Sequence, residues 1–358
     1  MKILLFGEYS GLFNCLKDGL IYNGQEVYLV SAGDGPKNYP ADFRWDVSFP
    51  IGGISKILGF LNLLIHYRRI TGFDAVLFVS PTMSKYNLIN RIVYGILIRN
   101  NKKSYLVSSG LYATSFAYWY NKKGSKYYQY THMSLEEPNI GEGARHNKPK
   151  LVKYEKRLFD RITGIIPIWY EYAEPYRNNP KLQPAIRIPI NFGNYTYRPN
   201  IIKEKVVFLH GKTRSCKGGK FIIAAFDRLR EKYKDQAEFI ALDRILPFEE
   251  YMELMSRVNV ILDDANSYSF AMNVLFAMAQ GKICMGGAEP ESNKELGYEY
   301  NPVFNLTSDV DQICSQIEYI IKNKDRIEEW GALSRKFVEE YHDYRDVAKR
   351  YVELIEKS

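Results

Sequence analysis

Short β-rich runs alternate with helix-length stretches along most of this chain, in two series separated by a proline-rich passage. That alternation narrows the fold more than any other feature, because strand–helix–strand repeats close into a parallel sheet covered by helices. The first series opens at residues 2–6, a β-rich run ending at Gly7. Glu8-Tyr9-Ser10-Gly11 follows, then a helical pattern of Leu12, Cys15, Leu16, Gly19 and Leu20. Further strands are expected at 26–30, 75–79, 104–108 and 162–168, with a short helix over 169–177. Pro180, Pro184, Pro189 and Pro199, with Asn191-Phe192-Gly193-Asn194 among them, mark a linker. The second series places strands at 206–209, 237–242, 258–262 and 283–285. Its helices are expected at 220–233, 248–257 and 270–280, before a polar, mostly helical tail over 310–356. A chain of 358 residues is too long for one ordinary core. Two doubly wound α/β domains are expected, 1–195 and 196–335, with 336–358 a terminal helix.

Charge is placed unevenly. Residues 1–150 hold 18 Lys and Arg against 10 Asp and Glu, whereas the remainder holds 31 of each. Between Ile54 and Lys126 there are eleven basic residues and a single acid, Asp74. A basic half beside a neutral one calls for an anionic surface: membrane, polyanion or nucleic acid. The apolar stretch 53–69, ending in Tyr67-Arg68-Arg69, and the stretch 88–103 can each rest on an anionic bilayer, or face a core with basic residues at the helix C-terminus. No helix-turn-helix, zinc or RNA-recognition motif accompanies the charge, which argues against specific nucleic-acid binding. Cys15, Cys216, Cys284 and Cys314 are scattered without a CxxC pair, as expected of reduced thiols in a cytoplasmic protein. The first residues do not read as a signal peptide, and the apolar stretch 54–65 is too short to span a bilayer.

Three segments carry chemistry. His210-Gly211-Lys212-Thr213-Arg214-Ser215-Cys216-Lys217-Gly218-Gly219 follows a strand and precedes a helix. Three cations interleaved with glycines at a helix N-terminus suit a diphosphate, whose charge the backbone amides and cations would meet; a solvated basic turn is the plainer alternative. It is no Walker A loop, since Phe221 follows Gly219-Lys220 where a Ser or Thr should hold magnesium. The second segment, Asp263-Asp264-Ala265-Asn266-Ser267-Tyr268-Ser269-Phe270-Ala271-Met272-Asn273, is a polar loop running into a helix. Its aspartates suit turn and capping chemistry better than a metal pair, as no third ligand lies near in sequence. The third, Gly286-Gly287-Ala288-Glu289-Pro290-Glu291, sits at another strand's C-terminal end, where open α/β sheets bind ligands.

Together these segments resemble the C-terminal half of retaining GT-B glycosyltransferases of the family-four kind. That family runs from a Gly-Arg-x-x-x-x-Lys-Gly turn to a Glu-x7-Glu loop–helix ending in Ala-Met-Ala-x-Gly. Here 211–218 match the turn in spacing, with Lys212 at the family's arginine, and Ala277-Met278-Ala279-Gln280-Gly281 matches the motif's end. The opening Gly7–Gly11 segment resembles the family's N-terminal donor-facing loop. The resemblance implies two Rossmann-like domains facing an interdomain cleft, with the C-terminal helix crossing back onto the N-terminal domain. It implies a nucleoside-diphosphate-sugar donor, retention at the anomeric carbon, no required metal and no other cofactor.

By the same resemblance, Lys212, Arg214 and Lys217 are the expected catalytic cations, stabilising the departing diphosphate. Donor binding is expected from Ser10, Gly11, His210, Gly211, Gly218, Ile245, Leu246 and the run Tyr268, Ser269, Phe270, Ala271, Met272 and Asn273. Ser109, standing where the family has a histidine, and His132 are expected on the acceptor side. Tyr268 and Phe276 occupy the places of the family's two glutamates, which puts the chain on a divergent branch. The expected function is sugar transfer to a glycan or lipid-linked acceptor in surface polysaccharide biosynthesis, in the cytoplasm and peripheral at the inner membrane face. The alternative is a catalytically silent protein of the same fold that binds a sugar nucleotide or partners an active transferase.

Overall fold

A computed structural model describes residues 1–47, 52–84, 86–127, 148–211, 214–244, 246 and 248–358. The chain forms two compact units. The first takes Met1–Asn121, Ala144–Asn191 and Asp343–Ser358; the second takes Lys122–Gly143 and Phe192–His342. The sequence divisions at 195/196 and 335/336 thus compare with 191/192 and 342/343.

In the first unit, strands β1 (Lys2–Phe6), β2 (Glu26–Ser31), β3 (Phe43–Arg44), β4 (Ala75–Phe78), β5 (Lys103–Ser108) and β6 (Gly164–Pro167) form one sheet in the order β3-β2-β1-β4-β5-β6. Every pairing is parallel. This is the Rossmann order, with its reversal point between β1 and β4. The central strands are continuous apolar runs because helices cover both faces. Leu4, Phe6, Val76, Phe78 and Leu106 meet Tyr94, Leu158 and Phe159 in one core. Helices α1 (Leu12–Tyr22), α2 (Gly52–Ile65), α3 (Asn87–Arg99), α4 (Ala113–Asn121), α5 (Pro149–Phe159) and the short α6 (Tyr170–Ala173) belong to this unit.

The second unit pairs β7 (Val206–His210), β8 (Ala237–Ala241), β9 (Val260–Leu262), β10 (Ile283–Gly286) and β11 (Phe304–Asn305) in the order β11-β10-β9-β7-β8, again all parallel. That is the other common doubly wound order. Helices α7 (Gly219–Arg230), α8 (Phe248–Arg257), α9 (Met272–Ala279), α10 (Pro290–Leu296), α11 (Val310–Lys322) and α12 (Ile327–Tyr341) enclose it. Its core joins Phe208, Phe226 and Phe239 to Met285, Ile313, Ile317 and Trp330.

The last helix, α13 (Tyr344–Lys357), returns to the first unit and lies on α1. Gly19 permits the approach: a Cβ there would stand 2.1 Å from the Tyr344 carbonyl oxygen and 2.7 Å from the Ala348 Cβ. Asn23 Nδ2 donates to the Arg345 carbonyl at 2.8 Å, and Asp343 caps the helix by accepting from the Arg345 amide.

One buried cation in the second unit makes a pH prediction. Lys282 Nζ donates to the Val258 carbonyl at 2.7 Å, and burial, with the Arg198 charge adding, pulls its pKa from 10.5 down to about 8. Between those values the unfolded chain holds a proton that the folded one has released, so stability rises with pH across that window. Measured against Lys282→Met by urea unfolding, the wild type is expected to gain about 3 kcal/mol between pH 8 and 10.5. Equal slopes for the two proteins would refute this.

Candidate functional site

The C-terminal ends of β7, β9 and β10 bring three loops of the second unit together. The loop after β7 is stitched to the loop after β9 by Ala265 N donating to the Lys217 carbonyl at 3.0 Å and by Asn266 Nδ2 donating to the Cys216 carbonyl at 2.9 Å. Gly218, at φ 79°, makes the turn into α7, and a Cβ there would press on Ala265 and Asn266 at 3.3 Å. The loop after β10 locks onto the same place. A Cβ on Gly287 would stand 2.4 Å from the Ser267 carbonyl oxygen, and Ser269 Oγ shares a hydrogen bond of 2.7 Å with Ser292 Oγ.

Lys217 lies at the centre of this junction. Its ammonium is 3.4 Å from Asp263 and 3.7 Å from Asp264, both buried carboxylates. Burial pushes its pKa down, yet the two aspartates outweigh that and hold it above its ordinary value. The cation expected to hold a diphosphate therefore already has its charge matched within the protein. Arg214 is exposed on the same loop. Lys212, the third expected cation, lies outside the described residues, as do Ile245 and His132.

His210 is buried at the end of β7, where its Nδ1 meets the Leu262 carbonyl at 2.9 Å, so the ring is fixed by the neighbouring strand. Gly211 has open space around it. Leu246 is half-buried beyond β8. Of the run expected to meet the donor, Phe270 turns into the core against Tyr298 and Phe337, and Met272 is buried. Ala271 caps α9 through its backbone, and Asn273 is exposed on its first turn. Phe276, in a glutamate's place, stacks on Tyr195 at 4.8 Å.

A carboxylate absent from the expected site residues stands beside Tyr268. Glu289, buried, donates its amide to the Tyr268 carbonyl at 3.0 Å. Its carboxylate accepts from Lys126 Nζ at 2.6 Å, Tyr127 Oη at 2.6 Å and Asn305 Nδ2 at 2.7 Å. Burial alone would raise its pKa, but these three donors together hold it below the ordinary carboxylate value. Tyr127 also sets its ring edge-on to Tyr268 at 4.8 Å. Glu289 was visible in the third loop; its partners 162 and 163 residues away carry no local signal.

The first unit's loops differ in one decisive respect. Glu8, at the end of β1, turns its carboxylate onto the start of α1 and accepts from Phe13 N at 3.3 Å and Asn14 N at 2.9 Å. Burial raises its pKa, partly offset by hydrogen bonds from Asn14 and Phe13. Glu155 does the same for α4, accepting from Ala113 N at 3.0 Å and Thr114 N at 2.7 Å. Both helix N-termini are thus already filled by the chain's own anions. In the second unit the N-cap residue of α7 is Gly218, which brings no side chain to the helix start. Ser10 and Gly11 sit beside Glu8 in left-handed backbone, and Ser10 Oγ accepts from Lys37 Nζ at 2.7 Å. Ser109 donates its amide to Tyr112 Oη at 3.1 Å near the end of β5. Each unit therefore gathers its own expected residues at its own strand ends.

No family model matches the chain, and no curated protein matches it by sequence. Solved structures do. HepE of Anabaena, solved with UDP and glucose and with UDP-glucose, is similar over 100% of both chains, at 12% and 13% identity and TM-score 0.62. The sucrose-phosphate synthase of Thermosynechococcus elongatus is similar over 100% of this chain and 98% of its own, at 13% identity and TM-score 0.65. A Listeria monocytogenes protein assigned as a UDP-N-acetylglucosamine 2-epimerase is similar over 98% and 94%, at 11% identity and TM-score 0.52. The chain has the GT-B fold, two parallel-sheet α/β domains with helices. A fold alone does not fix a reaction, as a synthase and a protein assigned as an epimerase among these structures illustrate.

Proposed function

We propose that this chain is a glycosyltransferase that takes a sugar from a nucleoside-diphosphate donor and places it on a glycan or lipid-linked acceptor. One observation supports placing the donor on the second unit: among the described residues the start of α7 has only Gly218 as its N-cap, beside a loop bearing Arg214, whereas Glu8 and Glu155 fill two helix starts of the first unit. An anion is stabilised by uncapped first-turn amides and repelled by a carboxylate already seated on them. UDP and UDP-glucose bound to HepE support a nucleotide sugar as the ligand class.

In this reading Arg214 and Lys212 meet the diphosphate and stabilise it as the glycosidic bond breaks. Lys217 holds the same loop by pairing with Asp263 and Asp264. His210, Gly211, Gly218, Tyr268 and Asn273 line the donor side, with Glu289 a carboxylate beside Tyr268, which stands in the place of one motif glutamate. Ser10 and Gly11 keep the donor-binding role expected of them, and Ser109 serves the acceptor side. Transfer with retention, no metal requirement, a hexosyl donor and a place in surface polysaccharide assembly at the cytoplasmic membrane face complete the proposal.

The test is a thermal-shift screen against UDP, GDP, ADP, CMP and their common sugars. A ligand at ~100 times its Kd stabilises the native state by about 2.7 kcal/mol. One nucleoside diphosphate is expected to raise Tm in the wild type and to lose most of that effect in Arg214→Ala. No shift with any of them would remove the donor assignment. The second reading, a silent sugar-nucleotide binder, is favoured by Phe276, whose stacking on Tyr195 gives it no polar role. Binding without turnover would select it.

A further inference from the structure

Helix α2 is apolar on two opposite sides, and only one of them is covered. On the inner side Leu63 is fully buried, and a Cβ on Gly59 would stand 3.0 Å from the Trp45 carbonyl oxygen. On the outer side Ile57, Leu61 and Ile65 are 50%, 44% and 76% exposed. Residues four apart share a face, so these three make one line along the helix rather than scattered surface apolars. A helix apolar all round is normally buried in a core or in lipid.

The surroundings say which. The line runs into Tyr67, also exposed, and then into the exposed pair Arg68 and Arg69. The turn that carries them packs on α3, which exposes Leu88 and Ile92 with Arg91 and Arg99. From residue 52 to 99 the single acid is Asp74, and it is bound to Lys102 at 2.7 Å. Asp46, beside the inner side of α2 at Gly59, is paired to Arg44 at 2.7 Å. Aliphatic side chains edged by cations match the acyl and headgroup layers of an anionic leaflet. No helix among the described residues is long and apolar enough to cross a membrane.

We infer that α2 docks this protein on an anionic lipid surface through Ile57, Leu61 and Ile65, with Arg68 and Arg69 at the headgroups. This deepens the membrane-face part of the proposed function; it does not rest on the transfer reaction, which the nucleotide screen tests separately. The full chain is sedimented with vesicles of mixed phosphatidylglycerol and phosphatidylcholine, and with phosphatidylcholine alone. The wild type should bind the anionic vesicles and leave the neutral ones. Leu61→Glu with Ile65→Glu should weaken binding about tenfold or more at unchanged Tm, since both side chains are exposed. Arg68→Ala with Arg69→Ala should weaken it less and flatten its salt dependence. Failure of the wild type to bind anionic vesicles, or equal binding by the glutamate variant, overturns the inference. So does concentration-dependent dimerisation lost in the glutamate variant without vesicle binding, which would give the stripe to a second copy.

Discussion

Lys217→Ala is expected to destabilise the second unit by about 3–5 kcal/mol, the cost of leaving buried charge without its partner. Asp263 and Asp264 are both buried and both lie within 4 Å of the Lys217 ammonium, at 3.4 and 3.7 Å. Removing the lysine takes the countercharge from two buried carboxylates, Asp264 keeping the Asn266 amide at 2.9 Å, and loosens the junction where Ala265 and Asn266 bond to the same loop. The sign with pH follows from the raised pKa of Lys217. The stabilisation is full at neutral pH and fades only as pH climbs through that raised value. Urea unfolding at pH 7 measures the loss. Adding Asp263→Asn and Asp264→Asn to the alanine variant should recover much of it, because the stranded charges are gone. A change under 1 kcal/mol for Lys217→Ala alone would show the trio to be solvated and without structural weight. The consequence for function is direct. Activity lost in this variant would not by itself place Lys217 on a phosphate, whereas loss in a folded Arg214→Ala would place Arg214 there.

Gly19→Ala is the second large effect. The new methyl would stand 2.1 Å from the Tyr344 carbonyl oxygen, a backbone atom that cannot step aside without moving α13. Overpacking costs typically about 1–3 kcal/mol where a core can adjust. Here the adjustment separates α13 from α1 and exposes Tyr351 and Ile355, both fully buried, at about 1.5–3 kcal/mol for each side chain. Limited proteolysis should then cut within 344–357 well before the wild type is cut, and Tm should fall. Gly24→Ala is the control: nothing lies within 4 Å of its Cβ position, so only the cost of its φ of +74° remains, about 1 kcal/mol. Equal melting of the two variants would mean that α13 does not rely on close contact at Gly19.

The long strands were legible because each is a compact apolar run after a turn signal, from 2–6 to 283–285. The edge strands Phe43–Arg44 and Phe304–Asn305 were not, since two residues carry no period and each owes its pairing to a neighbouring strand. Helix positions followed from apolar spacing, with ends displaced by one to four residues. Phe270 and Ala271, for instance, precede α9 rather than open it. The basic turn after β7 was found from its glycines and cations. Its wiring was not, because Lys217 meets aspartates 46 residues away and Glu289 meets Lys126 at 163. Glu8 was read as part of a glycine-containing turn, while its task of filling the start of α1 depends on how that turn folds back. Pairings of this kind are set by strand order, which a local pattern does not encode.

The most direct test of the central claim is release of nucleoside diphosphate from a panel of sugar nucleotides by the purified chain. The account predicts release from one donor class, accelerated by the proper acceptor and lost in Arg214→Ala at unchanged Tm. No release from any donor, with no nucleotide binding by the wild type, would contradict it.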